Sequence, residues 1–186
     1  GLALQMLTYL DILVRYSEQL VGTQADPAGV LYFHIHNPII KSKKLLTIEE
    51  IEELIFKDFK MSGLVLADPE IVRMMDQTLE RGDSKIISAG LKTDGTLKAY
   101  SKVASKEDFS HLRQYVRQVF EKTGNEIVEG NVDIAPYKMN DKVPCQYCPF
   151  KSVCQFDETL KENNYRLLPS LDKKDALERV KEVVKS

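Results

Sequence analysis

From residue 2 to about 21, the polar positions Gln5, Thr8, Asp11, Arg15 and Glu18 recur every three or four residues, with apolar positions between them. That period predicts a helix. So wide an apolar surface predicts burial on most sides, as for a helix lying on a sheet. Asp26-Pro27-Ala28-Gly29 reads as a turn. Val30 to Ile35 is β-branched and aromatic without alternation, the pattern of a central strand covered on both faces. Thr47 followed by Glu50 forms a capping box that opens a helix with the apolar face Ile48, Ile51, Ile55 and Phe59. Asp68-Pro69 predicts a further helix start, carrying Ile71, Val72, Met75 and Leu79, with Gly82 placed to end it.

Further along, Ile86-Ile87 and Leu97 to Tyr100 flank Thr93-Asp94-Gly95, which predicts a hairpin. Ser105 opens a helix through Phe109, Leu112, Val116 and Val119, with Gly124 to close it. Ile127 to Ala135 reads as short and extended, broken by Gly130 and Pro136. A last, weakly amphipathic helix covers about Lys173 to Lys185, with Leu177, Val180 and Val184 on its apolar side. Helix followed by strand across short connections is the rhythm of a layered α/β domain. The expected organisation is compact over residues 1–137, followed by a cysteine-bearing loop and tail over 138–186.

Composition narrows the function classes. The 186 residues are 43% hydrophobic and 29% charged, an ordinary globular balance that excludes a disordered tail or a disulfide miniprotein. No stretch approaches the roughly 18 uninterrupted apolar residues of a membrane span, so a soluble protein is expected. A net charge of −2 denies the chain a broadly basic footprint, so contact with DNA must come from local patches or from a partner. The chain opens in mid-pattern at Gly1-Leu2-Ala3-Leu4 without Met or a basic leader, and is expected to be a piece of a longer protein.

Candidate chemistry concentrates in one place. Cys145, Cys148 and Cys154 fall within ten residues, in Pro144-Cys145-Gln146-Tyr147-Cys148-Pro149-Phe150-Lys151-Ser152-Val153-Cys154. A Cys-x2-Cys pair lets two thiolates bite one metal centre, and a third Cys closes the loop over it, in keeping with a reducing, cytoplasmic compartment. Zinc and iron–sulfur cubanes both take four ligands. The fourth is either a His (His34, His36 or His111) or a Cys outside the chain, and spacing does not choose iron over zinc.

Cys-x2-Cys-x5-Cys with Tyr147 and Phe150 between resembles the C-terminal cluster loop of the RecB-type, iron–sulfur-containing nucleases. Near the other end, Gln5-Met6-Leu7-Thr8-Tyr9 puts a Gln and a Tyr one helical turn apart, similar to the Gln-x3-Tyr helix of that family. Tyr32-Phe33-His34-Ile35-His36-Asn37-Pro38 and Asn164-Tyr165-Arg166 also resemble its AddB (RexB) branch, a subunit of the bacterial ATP-dependent helicase–nuclease. The likeness covers nearly the whole chain.

The resemblance implies a partial PD-(D/E)xK nuclease fold, a mixed sheet flanked by helices, with a C-terminal cysteine loop and tail helix. It implies that the full-length protein is a deoxyribonuclease, an exonuclease subunit cutting single-stranded DNA beside an unwinding motor as duplex ends are processed for recombinational repair. An AddA-type partner subunit, single-stranded DNA and duplex-end DNA are the implied partners. In that family Cys145, Cys148 and Cys154 would join one upstream cysteine around a [4Fe-4S] cluster. Mg²⁺ would be held by carboxylates on strands before the Gln-x3-Tyr helix, with a Lys beside them. Gln5 and Tyr9 would border that site as accessory residues. The metal-binding Asp and the Lys are absent from this chain, so it is expected to be inactive alone.

Asp83-Ser84-Lys85 and Asp172-Lys173-Lys174 match a bare acid-x-Lys pattern, and both are expected to be solvated charge rather than catalytic. His34 and His36 alternate and are expected on one sheet face, as a hydrogen-bonded pair at a strand end. The competing reading from a different class is a non-catalytic zinc-binding interaction module, built on the three cysteines and one His.

Overall fold

The computed structural model describes residues 4–36, 38–161 and 163–185. The chain forms two compact units, residues 1–116 and 117–186.

In chain order the first unit comprises α1 (Gln5–Arg15), α2 (Ser17–Val21), β1 (Gly29–Tyr32), α3 (Ile48–Asp58), β2 (Ser62–Leu66), α4 (Pro69–Met75), β3 (Gly82–Asp83), β4 (Gly90–Leu91) and β5 (Val103–Ala104). It also holds the first half of α5 (Lys106–Val128). The main sheet is mixed, in the order β1-β2-β5, with β1 antiparallel and β5 parallel to β2. The expected α/β class with a mixed sheet is therefore what the chain adopts.

The central strand is β2, not the run after Val30. β1 lies at the sheet edge and ends at Tyr32, so Phe33, His34 and Ile35 fall beyond it and are exposed. Sequence pattern misplaced the centre because β2, Ser62-Gly63-Leu64-Val65-Leu66, is short and opens on Ser and Gly. That glycine is what lets the two strands close. Gly63 has φ +151°, and a Cβ there would stand 2.0 Å from the Val30 carbonyl oxygen.

Val65, Val72, Leu79, Ile87, Ala89 and Leu91 make the core of this unit. Polar groups steer its loops. The Asp76 carboxylate, only 2% exposed, accepts hydrogen bonds from Ser84 Oγ (2.6 Å), Thr78 Oγ1 (2.7 Å) and Thr78 N (3.1 Å). Ser84 Oγ in turn accepts from the Ile86 and Ile87 amides, both at 3.0 Å, which delivers Ile87 to the core. Asp76 also ends α4 at Met75, well before Gly82, because its side chain offers the backbone a turn that competes with helix.

The helix-start signals are obeyed. The Thr47–Glu50 capping box is formed in both directions, and Asp68 caps α4 by accepting from Glu70 N at 2.8 Å. The turn at Thr93-Asp94-Gly95 forms with Gly95 at φ +80°, but its arms are Gly90–Leu91 and Leu97 rather than Ile86-Ile87. Ser105 and Asp108 box the start of α5. This helix runs through Gly124 to Val128 and stops at Gly130, whose φ is +75°. The glycine penalty of about 1 kcal/mol is small against 23 residues of continuous helical hydrogen bonding.

The opening helix departs most from expectation. Residues 2–3 lie outside the described ones, and the rest divides at Tyr16 into α1 and α2. Only Asp11, Val14 and Ser17 are buried, while Tyr9, Ile12, Leu13, Leu20 and Val21 are exposed. A sheet with strands of four, five and two residues offers too little face to cover so broad an apolar stripe.

The second unit holds the rest of α5, then β6 (Tyr137–Lys138), a 3-10 turn (Pro144–Tyr147), α6 (Lys151–Cys154), β7 (Arg166–Leu167) and α7 (Lys173–Lys185). β6 and β7 pair in parallel, Tyr137 opposite Arg166. Among the described residues no helix is long and apolar enough to cross a membrane.

Candidate functional site

Gln5 and Tyr9 lie on one face of α1, as their spacing requires. Gln5 Nε2 donates to Tyr9 Oη at 2.9 Å, and both side chains face solvent. The opposite face fixes the helix. Asp11, one of its buried residues, accepts from Arg113 Nε on α5 at 2.8 Å, with side chains 10% and 18% exposed. A charge pair this dry is costly to break from one side, so α1 is held with its Gln–Tyr pair outward. Such a pair has one phenol and one amide to offer a substrate or a neighbouring catalytic group.

The acid-x-Lys matches are committed elsewhere. Asp83 accepts from Lys98 Nζ at 3.1 Å and from Tyr100 Oη, and these hydrogen bonds, Tyr100 first, hold its carboxyl below the usual range. Lys85 turns to Glu53 at 3.6 Å, both well exposed. Asp172 Oδ1 accepts from Asp175 N at the start of α7. A third match, Asp58-Phe59-Lys60, lies at the C-terminal end of α3 rather than on a strand. None has the buried strand and partner carboxylate that metal-dependent phosphodiester chemistry requires.

The cysteine loop is built from two tight turns. Pro144 opens the 3-10 turn, in which Cys148 N donates to the Cys145 carbonyl at 3.3 Å. The chain then extends at Cys148 and re-enters helix at Lys151, where Cys154 N donates to Phe150 O at 2.9 Å. Lys151 Nζ reaches back to the Gln146 carbonyl at 3.1 Å and ties the turns together. Gln155, with φ +49°, ends the second turn.

All three cysteines are free and half-buried. Tyr147, Phe150 and Val153 point outward, 86%, 67% and 81% exposed, so the aromatic residues between the cysteines do not line the loop. The aromatic packing comes from beyond it. Phe156 and Tyr165 meet at 4.9 Å, and Lys138 Nζ lies 5.4 Å from the Tyr165 ring centre. Burial, repulsion from Cys145 and Glu158, and donation to the Cys145 sulfur hold the Tyr165 phenol above its ordinary range. The parallel β6–β7 pairing brings Tyr165 here, and no local spacing in the sequence announces it.

By type, three cysteine sulfurs are donors that suit zinc or an iron–sulfur centre, either of which takes four ligands. The three histidines fall in residues 1–116 and the cysteines in 117–186. Among the described residues no three His, Cys, Asp or Glu side chains are gathered to hold a metal ion. His34 and His36 come together through their rings. They follow β1 rather than lying on it, their rings stack at 4.5 Å, and His36 Nδ1 meets the His34 carbonyl at 3.2 Å.

Comparison with known proteins covers both ends of this arrangement. A family model described as the PD-(D/E)XK nuclease superfamily matches residues 1–155, a span that includes Gln5, Tyr9 and all three cysteines. The chain is 54% identical over 181 residues to a subunit of the ATP-dependent helicase/deoxyribonuclease of Bacillus licheniformis, and equally to that of Bacillus subtilis, covering 97% of this chain and 16% of each relative. With the same subunit of Bacillus velezensis, identity is 56% over 168 residues, 90% of this chain and 14% of the relative. The chain thus spans about one-sixth of the length of the curated relatives it matches.

Proposed function

Because the chain belongs to the PD-(D/E)XK nuclease superfamily, we propose that it is the C-terminal portion of the nuclease domain of an AddB-type helicase–nuclease subunit. In this reading residues 1–137 contribute to the nuclease core, and 138–186 form the cysteine loop and tail. The observation that carries it is identity above one-half across nearly the whole chain with relatives named as a subunit of the ATP-dependent helicase/deoxyribonuclease. The outward Gln5–Tyr9 pair, fixed by the Asp11–Arg113 bridge, supports it from the structure.

The complete protein would cut single-stranded DNA in a Mg²⁺-dependent reaction while an AddA-type helicase partner unwinds duplex ends, in the service of recombinational repair. Gln5 and Tyr9 would orient substrate at the border of the metal site. Cys145, Cys148 and Cys154 would supply three thiolates to a [4Fe-4S] cluster, with a fourth cysteine from elsewhere in the polypeptide. The cluster's chemistry there is structural, a clasp that closes the fold.

The 186-residue chain alone is expected not to cut, since its acid-x-Lys matches are engaged as surface pairs, a helix cap and a helix end. The test is incubation with end-labelled single-stranded DNA and Mg²⁺, beside a protein of the relatives' full length. Cleavage by the long protein alone, abolished by EDTA, is the expected result. EDTA-sensitive cleavage by the short chain overturns the inactivity, and none by the long one overturns the nuclease reading.

A further inference from the structure

Beyond the end of the β1–β2 pair stand four rings in an unbroken series. His34 stacks on His36 at 4.5 Å, His36 meets Phe59 edge-on at 5.6 Å, and Phe59 stacks on Phe33 at 5.6 Å. Antiparallel pairing of Tyr32 with Ser62 brings the two chain segments together, and the C-cap of α3 fixes Phe59 between them. The series is not part of the core. Phe33 is 54% exposed, His34 is exposed, and His36 and Phe59 are half-buried.

We infer that this ring ladder is a stacking platform for the bases of single-stranded DNA. The rings at the two ends of the series, Phe33 and His34, are its exposed members, and they are a poor match for an aliphatic protein surface, since half of the series is imidazole. They match nucleobases, every one of which presents a π face of its own, and proteins that hold single strands pair such rings with nearby cations for the phosphates. Lys57 and Lys60 flank Phe59 in the chain, and Lys41 and Lys43 follow His36, with Asp58 the acidic neighbour on the same turn. The platform would engage the strand by its bases, through residues other than Gln5 and Tyr9. This inference rests on the deoxyribonuclease reading above.

The test is binding of the 186-residue chain, in EDTA, to a fluorescein-labelled oligo-dT of about twelve nucleotides, compared with an abasic deoxyribose-phosphate strand of equal length. Oligo-dT is expected to bind about tenfold more tightly than the abasic strand, and Phe33→Leu to remove about that factor for oligo-dT alone. Phe59→Leu and His34→Leu should act in the same direction. If Phe59→Leu fails to fold, as judged by far-UV circular dichroism, the exposed Phe33 position decides. Equal affinity for the two strands, undiminished binding by Phe33→Leu, or binding to neither strand overturns the inference; in the last two cases the rings await a protein surface instead. Cleavage by the full-length protein is read separately. Its loss with base-dependent binding intact removes the nuclease reading only, and the reverse removes the platform only.

Discussion

Removing the Asp76 carboxylate tests how the first unit holds its core together. Asp76→Ala deletes an acceptor that serves Ser84 Oγ, Thr78 Oγ1 and Thr78 N within 3.1 Å, in a side chain 2% exposed. Hydrogen bonds to a charged group contribute about 1.5–3 kcal/mol each, but they are not additive, and deleting the carboxylate also relieves the cost of burying it. A net loss of about 3 kcal/mol is expected, a large share of a domain's usual margin. Asp76→Asn should cost less, yet not zero. Its amide would face Ser84 Oγ, whose two acceptor positions are already taken by the Ile86 and Ile87 amides.

The local readout is hydrogen exchange at Ile87, which should speed up in Asp76→Ala and in Ser84→Ala alike, because both release the turn that seats a wholly buried side chain. Urea unfolding followed by far-UV circular dichroism gives the global cost. The double mutant should fall short of the summed single costs by about 1 kcal/mol or more, since the two groups act as one. The pH dependence has a definite sign. Burial raises the Asp76 carboxyl, but the hydrogen bonds from Ser84, Thr78 and the Lys85 amide outweigh it and leave the group below its ordinary value. Its stabilisation is therefore complete above about pH 4, the ordinary aspartate range, and is lost as pH falls through the lower folded value. Asp76→Asn should flatten stability in that acidic window. Full additivity, or a change under about 0.5 kcal/mol for Asp76→Ala, would show that the carboxylate is incidental.

Other expectations are more direct. Gly63→Ala forces a Cβ to within 2.0 Å of the Val30 carbonyl, so β1 must withdraw from β2. A loss of about 3 kcal/mol or more in urea unfolding is expected, and wild-type stability would refute the close approach. Arg113→Ala removes one partner of Asp11, the 2.8 Å bridge, and should cost about 1.5–3 kcal/mol, the usual worth of a hydrogen bond to a charged group; in the full-length protein it should also impair cleavage by loosening the helix that carries Gln5 and Tyr9. Cys148→Ser in that protein, purified anaerobically, should abolish bound iron as measured by elemental analysis, whereas stoichiometric zinc without iron in the unmutated protein would support the zinc module.

Sequence by itself determined whatever is decided within a few residues. The Thr47–Glu50 box, the Asp68-Pro69 start, the turn at Gly95 and the extent of α7 all form as their local chemistry dictates. The Gln5–Tyr9 hydrogen bond belongs here too, because a helix alone puts residues four apart on one face, although the Asp11–Arg113 bridge is what turns that face outward. Tertiary structure decided what each surface meets. Apolar content made Val30 to Ile35 look central, but centrality is a matter of neighbours, and Gly63 gives that place to β2. The same holds for the apolar stripe of α1, left open by a small sheet, and for Tyr165, brought to Cys145 by the β6–β7 pairing. The ring ladder joins Phe33, His34 and His36 to Phe59 through strand register and the end of α3. Contacts across such separations depend on loop closure and packing of the whole unit, and no periodicity in a single stretch of chain encodes them.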